Sequence, residues 1–367
     1  MSLSTAETPI LPPLPFTPEV EARTAHLYDR MQATVPPTDW RRFAPELDAI
    51  QRLKRERNAI VLAHNYQTPE IYHGVADIVG DSLALARKAV ATDADVIVMA
   101  GVHFMAETSK VLCPDKTVLI PDLRAGCSLA SSITGADVRA IKAKHPGLPV
   151  ITYVNTTADV KAETDICCTS ANAVQVVESA AREWGVDKVI LIPDEYLARN
   201  VARQTSIGIV AWKGRCEVHE RFTAEDIADM RAAYPGAEVL AHPECPTEVI
   251  EASDFTGSTA AMADYVTQRK PRKVVLITEC SMADNVAVDA PATEFVRPCN
   301  LCPHMKRITL QGILDSLRFD RFEVTGDEAV AERARAAVQR MIDLPPPSQP
   351  ARYDLTLARR PVDVELI

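Results

Sequence analysis

The stretch RPCNLCPHM, residues 297–305, sets Cys299 and Cys302 in a C-x-x-C with a proline directly after it. Thiols at that spacing clamp zinc, hold an iron–sulfur cluster, or work as a redox dithiol. A zinc ribbon needs a second C-x-x-C, and the chain has none. Two more cysteines stand in register with Cys302. Cys127, Cys216 and Cys302 are separated by 89 and 86 residues, each at the end of an apolar run, a polar turn, a helix-compatible stretch and a short extended run. Three thiols repeated in this way suit three ligands to one cluster. A [4Fe-4S] cube takes four thiolates as a rule, so a three-cysteine site leaves one iron open as a Lewis acid, which suits dehydration chemistry. Three buried structural cysteines are the plainer reading of the same residues.

Other reactive groups keep the same period. His64, Tyr153 and His242 follow β-rich runs at intervals of 89 and 89 residues, and Ser82, Ser170 and Ser258 open amphipathic stretches at intervals of 88 and 88. The serines, with Thr259, read as N-caps. Exposed N–H groups beside a hydroxyl also bind carboxylate and phosphate. His64, Tyr66, His242 and Glu244 offer acid–base groups at strand ends, with Glu244 suited as a general base. His219, three residues past Cys216, is placed to reach the same point. His26, His73 and His145 read as surface residues. Cys113, Cys167, Cys168, Cys245 and Cys280 have no counterparts in the repeat and read as core thiols. Cys299 either pairs with Cys302 or sits in its loop.

Elements that could position these groups alternate strand and helix three times, which predicts parallel α/β layers with right-handed crossovers. The β-runs IVLAH, DVIVMAG, KVILIP and KVVLIT are nearly continuous hydrophobe, as strands covered on both faces must be. In such sheets functional groups lie just beyond the carboxyl ends of strands. The expected fold is α/β: three homologous three-layer α/β/α units with parallel sheets around a pseudo-three-fold axis. The expected boundaries are a Pro-rich, semi-extended arm at 1–40, a first unit at 41–126 plus 303–345, a second at 127–215, a third at 216–302, and a surface tail at 346–367.

The net charge of −10 argues against a nucleic-acid partner. No apolar run reaches the length of a membrane span and the start lacks a signal-peptide pattern, so the chain is expected in the cytoplasm. Nine cysteines without a secretion signal fit a reducing compartment.

The motifs LAHNYQTPEI, VGDSLALARKA, GVHFMAET, YVNTTADVKA, TSANAV, GRCEVH, LAHPECP, FTGST and CNLCPHMK together resemble the quinolinate synthase (NadA) family of bacterial NAD biosynthesis, from about residue 45 to 345. The resemblance implies an enzyme of transferase type that condenses iminoaspartate with dihydroxyacetone phosphate to quinolinate, phosphate and water. It implies a [4Fe-4S] cluster held by Cys127, Cys216 and Cys302, which puts the partners of Cys302 far upstream and not at Cys299. Carried onto matching positions, it implies substrate contacts from His64, Ser82, Tyr153, Val154, Asn155, Ser170, His219, His242, Pro243, Glu244, Ser258 and Thr259. Catalytic roles fall to Glu244, His242, Tyr66 and His64. The small-molecule substrates are the expected partners, with contact to the enzyme supplying iminoaspartate. The rival readings are an aconitase-like hydro-lyase, separated by its indifference to dihydroxyacetone phosphate, and a non-enzymatic iron–sulfur redox sensor, which would carry a DNA-reading module or an exposed helix pair.

Overall fold

The computed structural model describes residues 12–345 and 352–367. It is an α/β protein with three sheets, every ladder between named strands being parallel. The first sheet contains β1 (Ala59–His64), β2 (Ile78–Gly80), β3 (Val96–Ala100) and β4 (Thr117–Leu119) in the order β2-β1-β3-β4. The second contains β5 (Val150–Tyr153), β6 (Ile166–Cys168), β7 (Lys188–Ile192) and β8 (Gly208–Ala211). The third contains β9 (Glu238–Ala241), β10 (Phe255–Thr256), β11 (Lys273–Ile277) and β12 (Glu294–Val296). Both follow the first sheet's order, and β13 (Val364–Leu366) is added on the outer edge of β8. Helices link the strands, as parallel pairing requires.

The strands form because their side chains are buried on both faces. All of β3, β5 and β8 is buried, and each fully buried Val, Ile or Leu contributes about 1.5–3 kcal/mol. Register is pinned by three aspartates in matching places. Asp77, Asp165 and Asp254 each accept the backbone N–H of a residue in β1, β5 or β9, namely Val61, Val150 and Val239, at 2.8, 2.7 and 2.8 Å.

The course of the chain after each site cysteine also recurs. A short helical turn follows (Ser128–Ser131, His219–Arg221, Met305–Arg307), and then a helix capped by Thr134, Thr223 or Thr309. Each threonine stands seven residues after its cysteine. Cap and turn together follow each cysteine where the chain leaves its sheet.

Two flanking segments differ from expectation. The N-terminal arm is helical from Pro18: helix Pro18–Met31, capped by the Thr17 side chain, packs on helix Pro37–Glu56 with Tyr28 stacked on Trp40. Its apolar residues (Val20, Met31) found a partner surface, which composition alone does not show. Helix Leu310–Phe319 packs on helix Pro37–Glu56 and β3, whereas helix Glu328–Asp343 packs on helices His103–Leu112 and Ala158–Ala162 and on β6, its Ala334 and Val338 meeting Val111 and Cys167. The expected tail is structured over 352–367. Tyr353 is buried, Arg352 bridges Gly257 beyond β10, and β13 completes the second sheet.

Candidate active site

Carboxyl ends of β1, β5 and β9 open into one cavity whose empty volume, mouth included, is about 720 Å³. Cys127, Cys216 and Cys302 all line it, each delivered by a different sheet's outgoing loop. Burial pushes the Cys127 thiol up to about 12, Cys216 well above the ordinary thiol range, and Cys302 upward too. Buried thiols become thiolates only where a cation stabilises them. Three of them around one space make a donor set for a soft metal centre. Cys216, His219 and Glu244 additionally have ligand atoms within 4.8 Å of one another.

Two short turns carry the histidines. In His64–Asn65–Tyr66 the Tyr66 N–H donates to His64 Nδ1 at 3.1 Å. In His242–Pro243–Glu244 the Glu244 N–H donates to His242 Nδ1 at 3.4 Å. An Nδ1 that accepts leaves the proton on Nε2, so both imidazoles present Nε2–H forward. His242 Nε2 reaches Ser170 Oγ at 3.3 Å. Burial depresses both rings, His64 to about 4 and His242 to about 3, and they are neutral at physiological pH.

Glu244 is the focus of the polar network. Its Oε1 accepts the Tyr153 hydroxyl at 2.5 Å and its Oε2 accepts His219 Nδ1–H at 2.8 Å. Burial works to raise its pKa, and the adjoining His242 and His219 rings together with these hydrogen bonds outweigh it and hold the carboxyl well below the usual range. Tyr153 and His219 bond one carboxylate oxygen each, and hydrogen bonds to the charged form favour it. The Tyr153 phenol is pushed up well beyond its ordinary value by burial and by that carboxylate. His219 Nε2 lies 2.9 Å from Thr278 Oγ1, which lies 2.6 Å from the Tyr66 hydroxyl. Five side chains from all three sheets thus form one connected chain.

The cavity wall takes in His64, Tyr66, Tyr153, His219, His242 and Glu244, and also Ser82, Asn155, Ser170 and Thr259. Asn155 Oδ1 has no hydrogen-bond partner among the described residues, which suits a ligand donor. Three expected contacts are set back from the wall. Val154 lines a small adjoining void, Pro243 turns its carbonyl to Asn200, and Ser258 caps helix Thr259–Arg269 through the Ala261 N–H. The expected serine caps hold only there. Asp81 caps the helix opened by Ser82, and Asn172 rather than Ser170 is the residue before helix Ala173–Trp184. Ser82 and Ser170 hydroxyls are therefore free of capping duty and line the cavity.

His73, expected on the surface, is buried, and burial depresses it to about 4. Cys299 stands beside Cys280, Sγ to Sγ 2.6 Å, the loop after β12 having folded against the end of β11. Sequence reading missed Thr278, whose one signal was its place directly after β11. It also missed the pair of buried Glu279 and half-buried Lys306, 2.9 Å apart, where Glu279 also accepts the Cys302 N–H at 3.4 Å.

Fold and site together define a parallel α/β protein that gathers three cysteines and a histidine–glutamate network around one cavity. Residues 48–343 match the family model described as "NadA: Quinolinate synthetase A protein", and the chain belongs to that family. It is 71% identical over 352 residues to the quinolinate synthase of Caulobacter vibrioides (strain NA1000 / CB15N), covering 96% of each chain. It is similar to quinolinate synthase 1 of Mesorhizobium japonicum (65% over 319 residues; 87% of this chain, 97% of the other). It is also similar to the quinolinate synthase of Agrobacterium fabrum (62% over 320 residues; 87% and 92%). No described helix is long and apolar enough to cross a membrane.

Proposed function

We propose that the chain is a quinolinate synthase that condenses iminoaspartate with dihydroxyacetone phosphate, forming quinolinate with loss of phosphate and water. The observation that carries this is the convergence of Cys127, Cys216 and Cys302, from three separate loops, on the cavity that holds Glu244 and His242. The three units are read as related by a pseudo-three-fold axis, with the boundaries given above, because strand order, register aspartates and cap threonines recur in each. Soluble cytoplasmic chemistry and contact with the enzyme that supplies iminoaspartate belong to the same reading.

The donor set fits an iron–sulfur cofactor: three thiols that burial keeps protonated need the positive charge of a metal centre to ionise. Cys127, Cys216 and Cys302 would hold a [4Fe-4S] cluster. When bound, such a cluster supplies Lewis acidity from the iron that has no protein thiolate. This chain's residues do the rest. Ser82, Ser170 and Thr259, with Ser258 shaping the helix start behind Thr259, hold carboxylate or phosphate oxygens. His64 and His242 donate through Nε2. Asn155 and Tyr153 orient the ligand, with Val154 and Pro243 fixing the backbone behind them. Glu244, ionised and buried, takes protons from carbon or nitrogen, and His219 keeps it charged between turnovers.

Iron and acid-labile sulfide per chain, measured on anaerobically purified protein, test the centre, with about four of each expected. Cys127→Ser, Cys216→Ser and Cys302→Ser should each lower that content. A folded protein that takes up zinc at Cys216, His219 and Glu244 and no sulfide would refute the cluster. Quinolinate formation that depends on dihydroxyacetone phosphate separates the condensation from an aconitase-like dehydration.

A further inference from the structure

Two turns that carry acid–base groups are held by the same device, used twice. Asn285 Nδ2 donates to the carbonyl oxygens of Asn65 and Gln67, the residues on either side of Tyr66, at 3.1 and 2.7 Å. Asn200 Nδ2 donates to the carbonyl oxygens of Pro243 and Cys245, on either side of Glu244, at 2.8 and 3.1 Å. A backbone carbonyl only accepts, so the NH2 group of each amide must face the turn, and both of its hydrogens are used there. Asn200 and Asn285 are both buried, and neither lines the cavity. Each leaves its own Oδ1 without a hydrogen-bond partner among the described residues. A buried acceptor left unmade costs stability, so these amides are kept for their donors.

The placement of the two asparagines repeats as well. Each stands twelve residues after the start of its strand, β7 or β11, on the helix that follows it (Glu195–Gln204 or Ser281–Asp289). Each reaches out of its own sheet. Asn285 crosses from the third sheet to the turn after β1, and Asn200 crosses from the second sheet to the turn after β9. The corresponding turn after β5 is held by local donors in place of an asparagine. There the Thr156 N–H donates to the Val154 carbonyl at 2.8 Å, and Lys161 Nζ donates to the Thr156 carbonyl. Asn155, at the centre of that turn, is read as orienting the ligand and not as moving protons. The asparagine device thus falls on the two turns whose central residues, Tyr66 and Glu244, are read as acid–base groups. We propose that Asn285 and Asn200 are positioning residues for the reaction: each fixes the backbone on both sides of one acid–base residue, Tyr66 or Glu244, and so aims that side chain into the cavity from a neighbouring sheet. The inference rests on the proposed function.

Steady-state quinolinate formation by the iron-loaded protein, normalised to bound iron and with dihydroxyacetone phosphate varied, is the assay. Asn285→Leu and Asn200→Leu keep the volume and remove both donors. Each should lower kcat about 10–100-fold, the cost of a misaimed reacting group, and leave KM unchanged, because the lost alignment belongs to the transition state. Double-mutant cycles then identify the residue through which each asparagine acts. In Glu244→Gln, Asn200→Leu should cost no more than about twofold further, whereas in Tyr66→Phe it should cost close to its full factor. Asn285→Leu should show the reverse pattern. Loosened packing alone would act alike in both backgrounds and would not produce this crossing. Should a leucine variant fail to fold, Asn200→Ser or Asn285→Ser, a smaller change that offers one hydrogen in place of two, enters the same cycles. An unchanged kcat in a folded variant, or a loss equal in both backgrounds, overturns the inference while wild-type turnover upholds the proposed function. An iron-loaded wild type that makes no quinolinate overturns that function, and the inference with it.

Discussion

Replacing Glu244 by Gln removes the charge at the centre of the network while keeping its volume. The amide can still accept the Tyr153 hydroxyl through its oxygen, since that contact is made to Oε1 alone. Its NH2 would then face His219 Nδ1, where the carboxylate Oε2 stood at 2.8 Å. Two donors cannot share that gap, so His219 moves its proton to Nε2 and donates to the Thr278 oxygen 2.9 Å away. Every buried group keeps a partner, and the fold should lose no more than about 1 kcal/mol, the net worth of one hydrogen bond. Proton abstraction has no such substitute. Loss of a positioned general base costs about 10²–10⁴-fold, or about 3–6 kcal/mol of barrier at about 1.4 kcal/mol per decade. Turnover normalised to bound iron is the assay, with kcat and kcat/KM expected to fall together because the lost interaction belongs to the transition state. Full turnover by Glu244→Gln with its iron intact would refute Glu244 as the base.

Three further outcomes follow from the geometry. Lys306→Met strands the Glu279 carboxylate, whose side chain is 0% exposed, without the ammonium 2.9 Å away; about 3 kcal/mol of stability should go, read as a lower urea midpoint, and an unchanged midpoint would show the pair to be idle. His73, held near 4 by burial against an ordinary 6.5, binds its proton more readily unfolded than folded. Its neutral form therefore costs nothing above about pH 6.5, and stability falls as the pH drops from there to about 4, by about 2–3 kcal/mol; His73→Gln should flatten that part of the unfolding profile, and an equal slope in both proteins would sink the assignment. Mild oxidation of iron-loaded protein with diamide, which takes up the two thiol hydrogens, should link Cys280 to Cys299 in peptide mass maps, because their sulfurs adjoin at 2.6 Å; a Cys299–Cys302 link in its place would contradict the observed loop.

Much of the site could be read from sequence because parallel α/β units deliver reactive groups at a fixed point, the end of a strand. A repeat interval of 89 residues therefore carried His64, Tyr153 and His242 to one cavity without any knowledge of their packing. Groups outside that period could not be seen. The places matching Thr278 after β3 and β7 hold Gly101 and Pro193, so the repeat gave no hint of a hydroxyl there. Lys306 and Glu279 are unremarkable charges until the turn after Cys302 folds back on β11. The tail after residue 345 looked solvated by its prolines, yet Tyr353 and β13 follow them, and a short apolar stretch becomes a strand only where an unpaired edge such as β8 awaits it.

The sequence by itself determined the period of the chain, the class of its layers, and the three thiols and acid–base residues set on that period, since each depends on local pattern and spacing. Only the tertiary structure decided direction and pairing: which carboxylate is ionised, which ring nitrogen carries the proton, which thiol faces Cys299, and which hydroxyl joins Tyr66 to His219. Those depend on distances near 3 Å between residues as far apart in the chain as Tyr66 and Thr278, and hydrogen bonding and desolvation act through such distances whatever the separation in sequence.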